Sequence, residues 1–374
     1  TDYIVKYCKD VMLLKDGGVQ WVLPAKEAMR RTDELQGCNI FPPQVAIAAE
    51  RMIDAGLLPK EPFLQKEEEL PVDVAEGVRV FTPYLKNKGP AYKQPLKREL
   101  KREPIVDFKN VTVKYRAVKG EPPKIFDDFS IQIGKGEKIA LIGSNGAGKS
   151  TMLKMMMGLI RPESGQVLLN DRPTADLPKE ELGRTISMVY QNPEEMFIKD
   201  SIRKDIEYAM MVRKVEDYQK RTDELLEMFR LTDLQDRDGR LLSGGQMRRA
   251  SLAIGIALQP EILLLDEPTA NLDIATRREI MKTLQMLKGI TDTVVIATHD
   301  MQLVCDWAER LIVLSAGYVI ADGTKEEIFA DMYVRQQVGI RPPQICDMGR
   351  ALGIENPCFT IDEFMEYFRG EKYA

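Results

Sequence analysis

The sequence predicts an α/β domain built on a mixed, mostly parallel sheet, and three observations carry that prediction. The runs "KIALI" (138–142), "ILLL" (262–265) and "VVIA" (294–297) are short, apolar and unalternating, the pattern of strands covered on both faces. Stretches with helical spacing separate them. The first run leads straight into the glycine-rich "GSNGAGKS", which opens one of those helical stretches. Ahead of them "VDFKNVTVKY" (106–115) alternates as a half-buried strand. In such sheets ligands collect beyond the carboxyl ends of the strands. The residues that end each run are therefore the first place to look for chemistry.

Gly143 to Ser150 fits GxxxxGK[ST], with a strand before it and a helix, "STMLKMMMGLI", after it. Gly143, Gly146 and Gly148 let the backbone N–H groups of the loop, through Ser144, Asn145, Ala147 and on to Thr151, turn inward around phosphate oxygens. Lys149 would reach the outer phosphates and Ser150 would ligate Mg²⁺. The methionines at 152, 155, 156 and 157 read as core packing of this helix. The next buried run ends in Asp266 and Glu267, two adjacent carboxylates that are costly to place there without a function. Asp266 is expected to hold the Mg²⁺ shell and Glu267 to polarise an attacking water. His299, the single histidine of the chain, closes the third run and is expected to meet the γ-phosphate. "LSGGQ" (242–246) precedes a helical stretch, so Ser243, Gly244, Gly245 and Gln246 form a second helix-start anion site.

The totals exclude several classes. With 374 residues, 44% apolar and 30% charged, the chain is globular material for two or three domains. A net charge of -5 and a pI of about 5.4 argue against a broad nucleic-acid footprint. The 5 cysteines are odd in number and lack CxxC spacing, so neither a disulfide framework nor a zinc site is expected. No apolar run is long enough to span a bilayer. From Pro59 to Pro104 the texture changes: seven prolines interrupt runs of mixed charge such as "KRELKRE", and an extended, solvated linker is expected.

The two ends of the chain repeat each other without a gap. "CKDVMLLKDGGVQWVLPAKEAM" (8–29) lies over "AERLIVLSAGYVIADGTKEEIF" (308–329), which places Leu14 on Leu314, Gly17 on Gly317 and Glu27 on Glu327. "NIFPPQ" (39–44) then lies over "GIRPPQ" (339–344). Each copy reads as strand, glycine turn, short strand, helix.

Taken together, the P-loop, "LSGGQ", "ILLLDEPT", "ANLD" and a histidine after the next strand, in that order over about 105–335, resemble the ATPase domain of ABC transporters. The resemblance implies a P-loop NTPase fold with an antiparallel β subdomain and an inserted helical subdomain. It also implies two such domains facing head to tail, with ATP between one P-loop and the other domain's "LSGGQ". It assigns Tyr115 to stacking on adenine, Gln191 of "VYQNP" to a lid that senses Mg²⁺ and the membrane partner, and Asp273 to communication across the interface. Within that superfamily, "VYQNPEEMFIKDSIRKDIEYAM" and "GIRPPQICDMGRALGI" resemble the A components of energy-coupling factor transporters, which import vitamins and transition-metal ions through separate membrane subunits. Some members fuse two ATPase halves. Residues 1–58 then look like the end of a first half, 59–104 the linker, 105–340 the nucleotide-binding domain and 341–374 a helical tail, in a peripheral subunit at the cytoplasmic membrane face. The tail's "IDEFMEYF" reads as an amphipathic helix that packs on its own domain or on the other half. The competing readings are a soluble ABC ATPase acting on ribosomes or DNA and a non-hydrolysing regulatory half.

Overall fold

The computed structural model describes residues 2–65, 67–86, 102–114, 124–270, 272, 274–287 and 289–369. Tyr115, Asp273 and the charged stretch 97–101 lie outside those residues. The chain divides into two compact units, 1–99 with 273–275 and 341–374, and 100–272 with 276–340.

The first unit opens on the short helix Asp2–Tyr7, followed by a hairpin of β1 (Asp10–Lys15) and β2 (Gly18–Pro24). The strands of the second unit are β3 (Pro104–Lys114), β4 (Lys124–Gly134), β5 (Lys138–Gly143), β6 (Ser164–Leu169), β7 (Arg172–Pro173), β8 (Ile186–Val189), β9 (Ile262–Asp266), β10 (Thr293–Ala297), β11 (Arg310–Ser315) and β12 (Tyr318–Gly323). They form two sheets. One has the order β12-β11-β5-β10-β9-β8, parallel throughout except for the antiparallel edge strand β12. The other, β4-β3-β6-β7, is antiparallel. The apolar runs sit in the centre of the larger sheet, where strands buried on both faces belong. Helix Lys149–Met156 packs between the sheets, and Met152, Met155 and Met156 are fully buried with Phe108, Phe126 and Leu141 in one core. Helices Ile202–Val212, Tyr218–Met228 and Gly244–Ile256 are inserted between β8 and β9. The expected fold class is the one observed.

In the first unit the structure corrects the linker expectation within residues 61–84; residues 87–101 of that segment lie outside the described residues. Within 59–104 lies helix Val74–Phe81, whose start is capped by the Asp73 carboxylate accepting from the Glu76 N–H at 2.9 Å. Phe81 is fully buried and meets Phe364 and Phe368 edge to face, with ring centroids 5.3 and 6.0 Å apart. Proline content misled in the described part because Pro62 lies in the first turn of Glu61–Leu64, where helices tolerate it, and Pro71 precedes the capping aspartate. An apolar stripe at Val74, Val78 and Phe81 was the competing signal. Arg102 and Glu103, at the end of the expected linker, belong to the second unit and pair within it with Glu309 and Lys135 at 3.1 and 2.8 Å.

The tail shares its core with the N-terminal segment. Helix Ile361–Arg369 buries Phe364, Met365, Tyr367 and Phe368 in one cluster with Val45, Met52 and Phe81. Helices Gln44–Asp54 and Gln344–Ala351, which open on the repeated "PPQ", each begin after a proline that has no side-chain acceptor to offer their free amides. The glutamines exchange that function. The Val45 N–H donates to Gln344 Oε1 at 3.1 Å, and the Ile345 N–H donates to Gln44 Oε1 at 3.0 Å.

Candidate functional site

The site is assembled by three adjacent parallel strands that end level with one another. Ala297 of β10 pairs with Asp266 of β9 on one side and with Leu141 of β5 on the other, two residues before the P-loop begins. The chain therefore delivers Gly143, Asp266 and His299 to one edge of the sheet, as the strand-end rule predicts.

The P-loop is shaped by its glycines. Gly148 has φ +106, and a Cβ there would lie 2.6 Å from the Phe126 ring. Gly143 passes so close to β11 that a Cβ would come within 2.4 Å of the Leu314 carbonyl oxygen. No larger residue fits either position. Ser144, Asn145 and Gly146 are exposed, whereas Ala147, Gly148, Lys149 and Thr151 are buried. The Lys149 ammonium donates to the Gly143 and Ser144 carbonyls at 2.7 and 3.2 Å. Burial pulls the Lys149 pKa down, opposed by the charges of Glu267 and Asp266.

Behind the loop, burial raises the Asp266 pKa, offset by a hydrogen bond from the Ser150 hydroxyl. Glu267 is buried with φ +46, a left-handed turn that sends its N–H to the Ala297 carbonyl at 2.8 Å. Non-glycine residues held there are strained, and such strain concentrates at working sites. His299 Nδ1 lies 2.9 Å from Glu267 Oε2, with the imidazole otherwise exposed. A cavity of about 530 Å³ has Ser150, Gln191, Asp266 and Gly244 among its lining residues, so the three residues expected to hold Mg²⁺ share one space. Their donors are a hydroxyl, an amide oxygen and a carboxylate, the oxygen set that suits a hard divalent cation. Ser243 caps helix Gly244–Ile256 in a capping box: its Oγ accepts from the Gln246 N–H at 3.4 Å, and Gln246 Oε1 accepts from the Ser243 N–H at 3.1 Å. Gly245 passes Thr276 so closely that a Cβ would lie 2.7 Å from its methyl.

Two residues of the site were missed in the sequence. Arg248 is buried and donates to the Tyr190 carbonyl at 2.9 Å and the Gln191 carbonyl at 2.7 Å, fixing the backbone that carries Gln191. Burial pushes its pKa down to about 10. Its signal was present: Arg248, Ser251, Leu252, Gly255 and Ile256 fall on one buried helical stripe, and a charge on such a stripe must meet buried acceptors. Asp300 is buried, accepts from the Thr269 hydroxyl at 3.0 Å and caps helix Met301–Trp307. It thereby ties the turn after Glu267 to the backbone of His299.

A sequence model of the ABC transporter family matches residues 126–270. The energy-coupling factor transporter ATP-binding protein EcfA1 of Caldanaerobacter subterraneus subsp. tengcongensis is 34% identical over 274 residues, 70% of this chain and 98% of that one. The chain belongs to the ABC transporter family. This ABC ATPase is also 34% identical over 238 residues to the cobalt import ATP-binding protein CbiO of Rhodobacter capsulatus, covering 63% of this chain and 85% of that one. The dimeric post-hydrolysis structure of the ATP-binding cassette MJ0796 bound to ADP and Pi matches with a TM-score of 0.53 at 31% identity, over 59% of this chain and 98% of that one. Membership makes the chain an ATP-binding, ATP-hydrolysing protein. Among the described residues no helix is long and apolar enough to cross a membrane.

Proposed function

We propose that this ABC ATPase powers import of a vitamin or transition-metal ion through separate membrane subunits, as a peripheral subunit at the cytoplasmic membrane face, by ATP-driven closure of two ATPase halves. The names of the relatives, a cobalt import protein and an energy-coupling factor protein, support that direction over a soluble factor acting on ribosomes or DNA. The chemistry rests on one observation: the P-loop, Asp266 and the Glu267–His299 pair meet at the ends of neighbouring strands.

The loop amides from Ser144 to Thr151 grip the phosphates of ATP, and Lys149 leaves its backbone carbonyls to meet the outer phosphate charge. Ser150 and Gln191, with Asp266 in the outer coordination sphere, would hold Mg²⁺, which would supply charge neutralisation at the phosphate oxygens. Glu267 orients the water for in-line attack, and His299, beside it, faces the developing negative charge. Tyr115 stacks on adenine and Asp273 carries the state of one half to the other. Ser243, Gly244, Gly245 and Gln246 serve the nucleotide of the facing half; the capping box leaves Ser243 and Gly244 exposed for that contact.

Glu267→Gln tests the hydrolytic assignment. Calorimetry should show ATP binding retained while turnover falls by roughly 10²- to 10⁴-fold, the general-base range. Unchanged turnover refutes the assignment, and co-purification with ribosomes or DNA in place of membrane proteins refutes the transport reading.

A further inference from the structure

The internal repeat holds element by element. Helix Asp2–Tyr7 answers to Met301–Trp307 and the hairpin β1–β2 to β11–β12. Helices Ala25–Arg30, Thr32–Gly37 and Gln44–Asp54 answer to Lys325–Ala330, Met332–Val338 and Gln344–Ala351, all in the ungapped register of the sequence repeat. One face of the first hairpin, with Leu13, Trp21 and Leu23, packs in a cluster with Ala28, Met29 and Leu35. The other face carries Met12, Leu14, Val19 and Val22, all exposed, and Tyr7 in the helix before it is 68% exposed. Their counterparts Ile312, Leu314 and Trp307 are 0, 0 and 7% exposed. Ile312 and Leu314 share a core with Phe126, Met152 and two residues of β5, Ile139 and Leu141, and Val319 packs against it.

The strand edges differ in the same way. β11 pairs with β12 on one side and, in parallel, with the P-loop strand β5 on the other. Among the described residues β1 pairs with β2 alone, and an open edge beside an apolar face is a template for another strand. The cover that the second copy has and the first lacks is therefore a P-loop strand with the core behind it. Charge separates that cover from a second copy of this chain. Arg310 of β11 meets Glu137, just before β5, at 2.8 Å and Asp322 at 2.6 Å. The repeat puts Asp10 in the place of Arg310 and Val22 in the place of Asp322. A copy of β5 would set Glu137 against Asp10, a like-charge contact that disfavours the pairing, and its outer edge is already taken by its own β11.

We propose that the outer face of β1–β2, with Tyr7 and the open edge of β1, docks a second ATPase core carried on a separate polypeptide, whose P-loop strand adds to β1 in parallel as β5 adds to β11. That strand is preceded by a neutral or basic residue where β5 is preceded by Glu137. The proposal rests on the reading that two ATPase halves close on ATP, and it names the surface that holds the core of the other half.

The test uses the full chain, tagged at its C-terminus and made in the cells that carry its gene. It should co-purify, in equimolar amount, with a polypeptide that mass spectrometry identifies by a P-loop of its own. Met12→Asp combined with Leu14→Asp should lower recovery of that partner about 10-fold or more, because both carboxylates would be buried in the joint. Val19→Asp combined with Val22→Asp, on the other strand of the same face, should do the same. Met332→Asp, at an exposed residue of the second unit, should not. Unchanged ATP binding in calorimetry establishes that each variant is folded. A P-loop partner recovered equally with every variant overturns the proposal, and so does the absence of any such partner. A homodimer in analytical ultracentrifugation that the hairpin variants dissolve overturns it too, since a second copy would then cover the face. Membrane subunits that stay bound to the variants keep the transport reading standing whichever of these results appears, so the two readings fail separately.

Discussion

The hairpins β1–β2 and β11–β12 are the same object in two environments. Both turn through a left-handed pair, Asp16 with φ +52 and Gly17 with φ +78 in one, Ala316 with φ +47 and Gly317 with φ +82 in the other. Both carry their register shift at the same place, between Leu13 and Leu14 and between Val313 and Leu314. Their burial could hardly differ more. Leu314 is 0% exposed and Leu14 is 63% exposed. Met12, Val19 and Val22 are likewise exposed on the first hairpin, whereas β11 pairs on its other edge with the P-loop strand β5. Local sequence sets turn, bulge and register; the neighbouring strand decides whether the same leucine is core or surface.

Leu314→Asp against Leu14→Asp should break that comparison with the largest effect. An unpaired carboxylate at Leu314 would be buried beside Gly143, at a cost of several kcal/mol out of a total stability of about 5–15 kcal/mol. Loss of soluble, nucleotide-binding protein is expected. Leu14→Asp adds a charge to an exposed position and should change stability by less than about 0.5 kcal/mol. A thermal-melting comparison in which both variants behaved alike would show that burial is not what separates the copies.

The turn glycines sharpen the comparison at an intermediate scale. Alanine at either site meets the left-handed backbone penalty of roughly 1–2 kcal/mol. At Gly317 the new Cβ would also lie 1.9 Å from the Ile125 carbonyl oxygen, while at Gly17 it would meet nothing within 4 Å. Gly317→Ala should therefore cost well beyond Gly17→Ala, by about 2 kcal/mol or more given the price of overpacking against backbone. Equal midpoints in urea would contradict the observed contact.

How much of this was legible in the sequence depends on whether a feature is written contiguously. The P-loop, Asp266 with Glu267, and His299 each sit at the end of an apolar run, so strand order and strand ends placed them together. Arg248 did not show itself, because its partners are the backbone carbonyls of Tyr190 and Gln191, far away in sequence and chemically anonymous. Composition misled between Pro59 and Pro104: prolines at helix starts count the same as prolines in linkers until the apolar spacing of Val74, Val78 and Phe81 is read beside them. The repeated "PPQ" was visible as a repeat, yet its use was not. Nothing in one copy indicates that its glutamine caps the helix of the other.

That exchange supplies the smallest and most specific test, because here the two copies should behave alike. Gln44 and Gln344 each accept from one amide at the start of the opposite helix, at 3.0 and 3.1 Å. Each helix begins after a proline with no acceptor of its own, so removing a glutamine leaves an amide without its cap. Gln44→Ala and Gln344→Ala should each lower stability by about 1 kcal/mol, the usual worth of a helix cap, and by nearly equal amounts. The double variant should depart from their sum, since the two bonds lie side by side at one joint. Gln344→Glu keeps an acceptor at the site and adds a negative charge at a helix start, so it should restore most of the loss at neutral pH. Urea midpoints for the four proteins decide the matter: a neutral alanine variant at either position would mean that the paired glutamines only decorate a joint already secured by the Phe81, Phe364 and Phe368 rings.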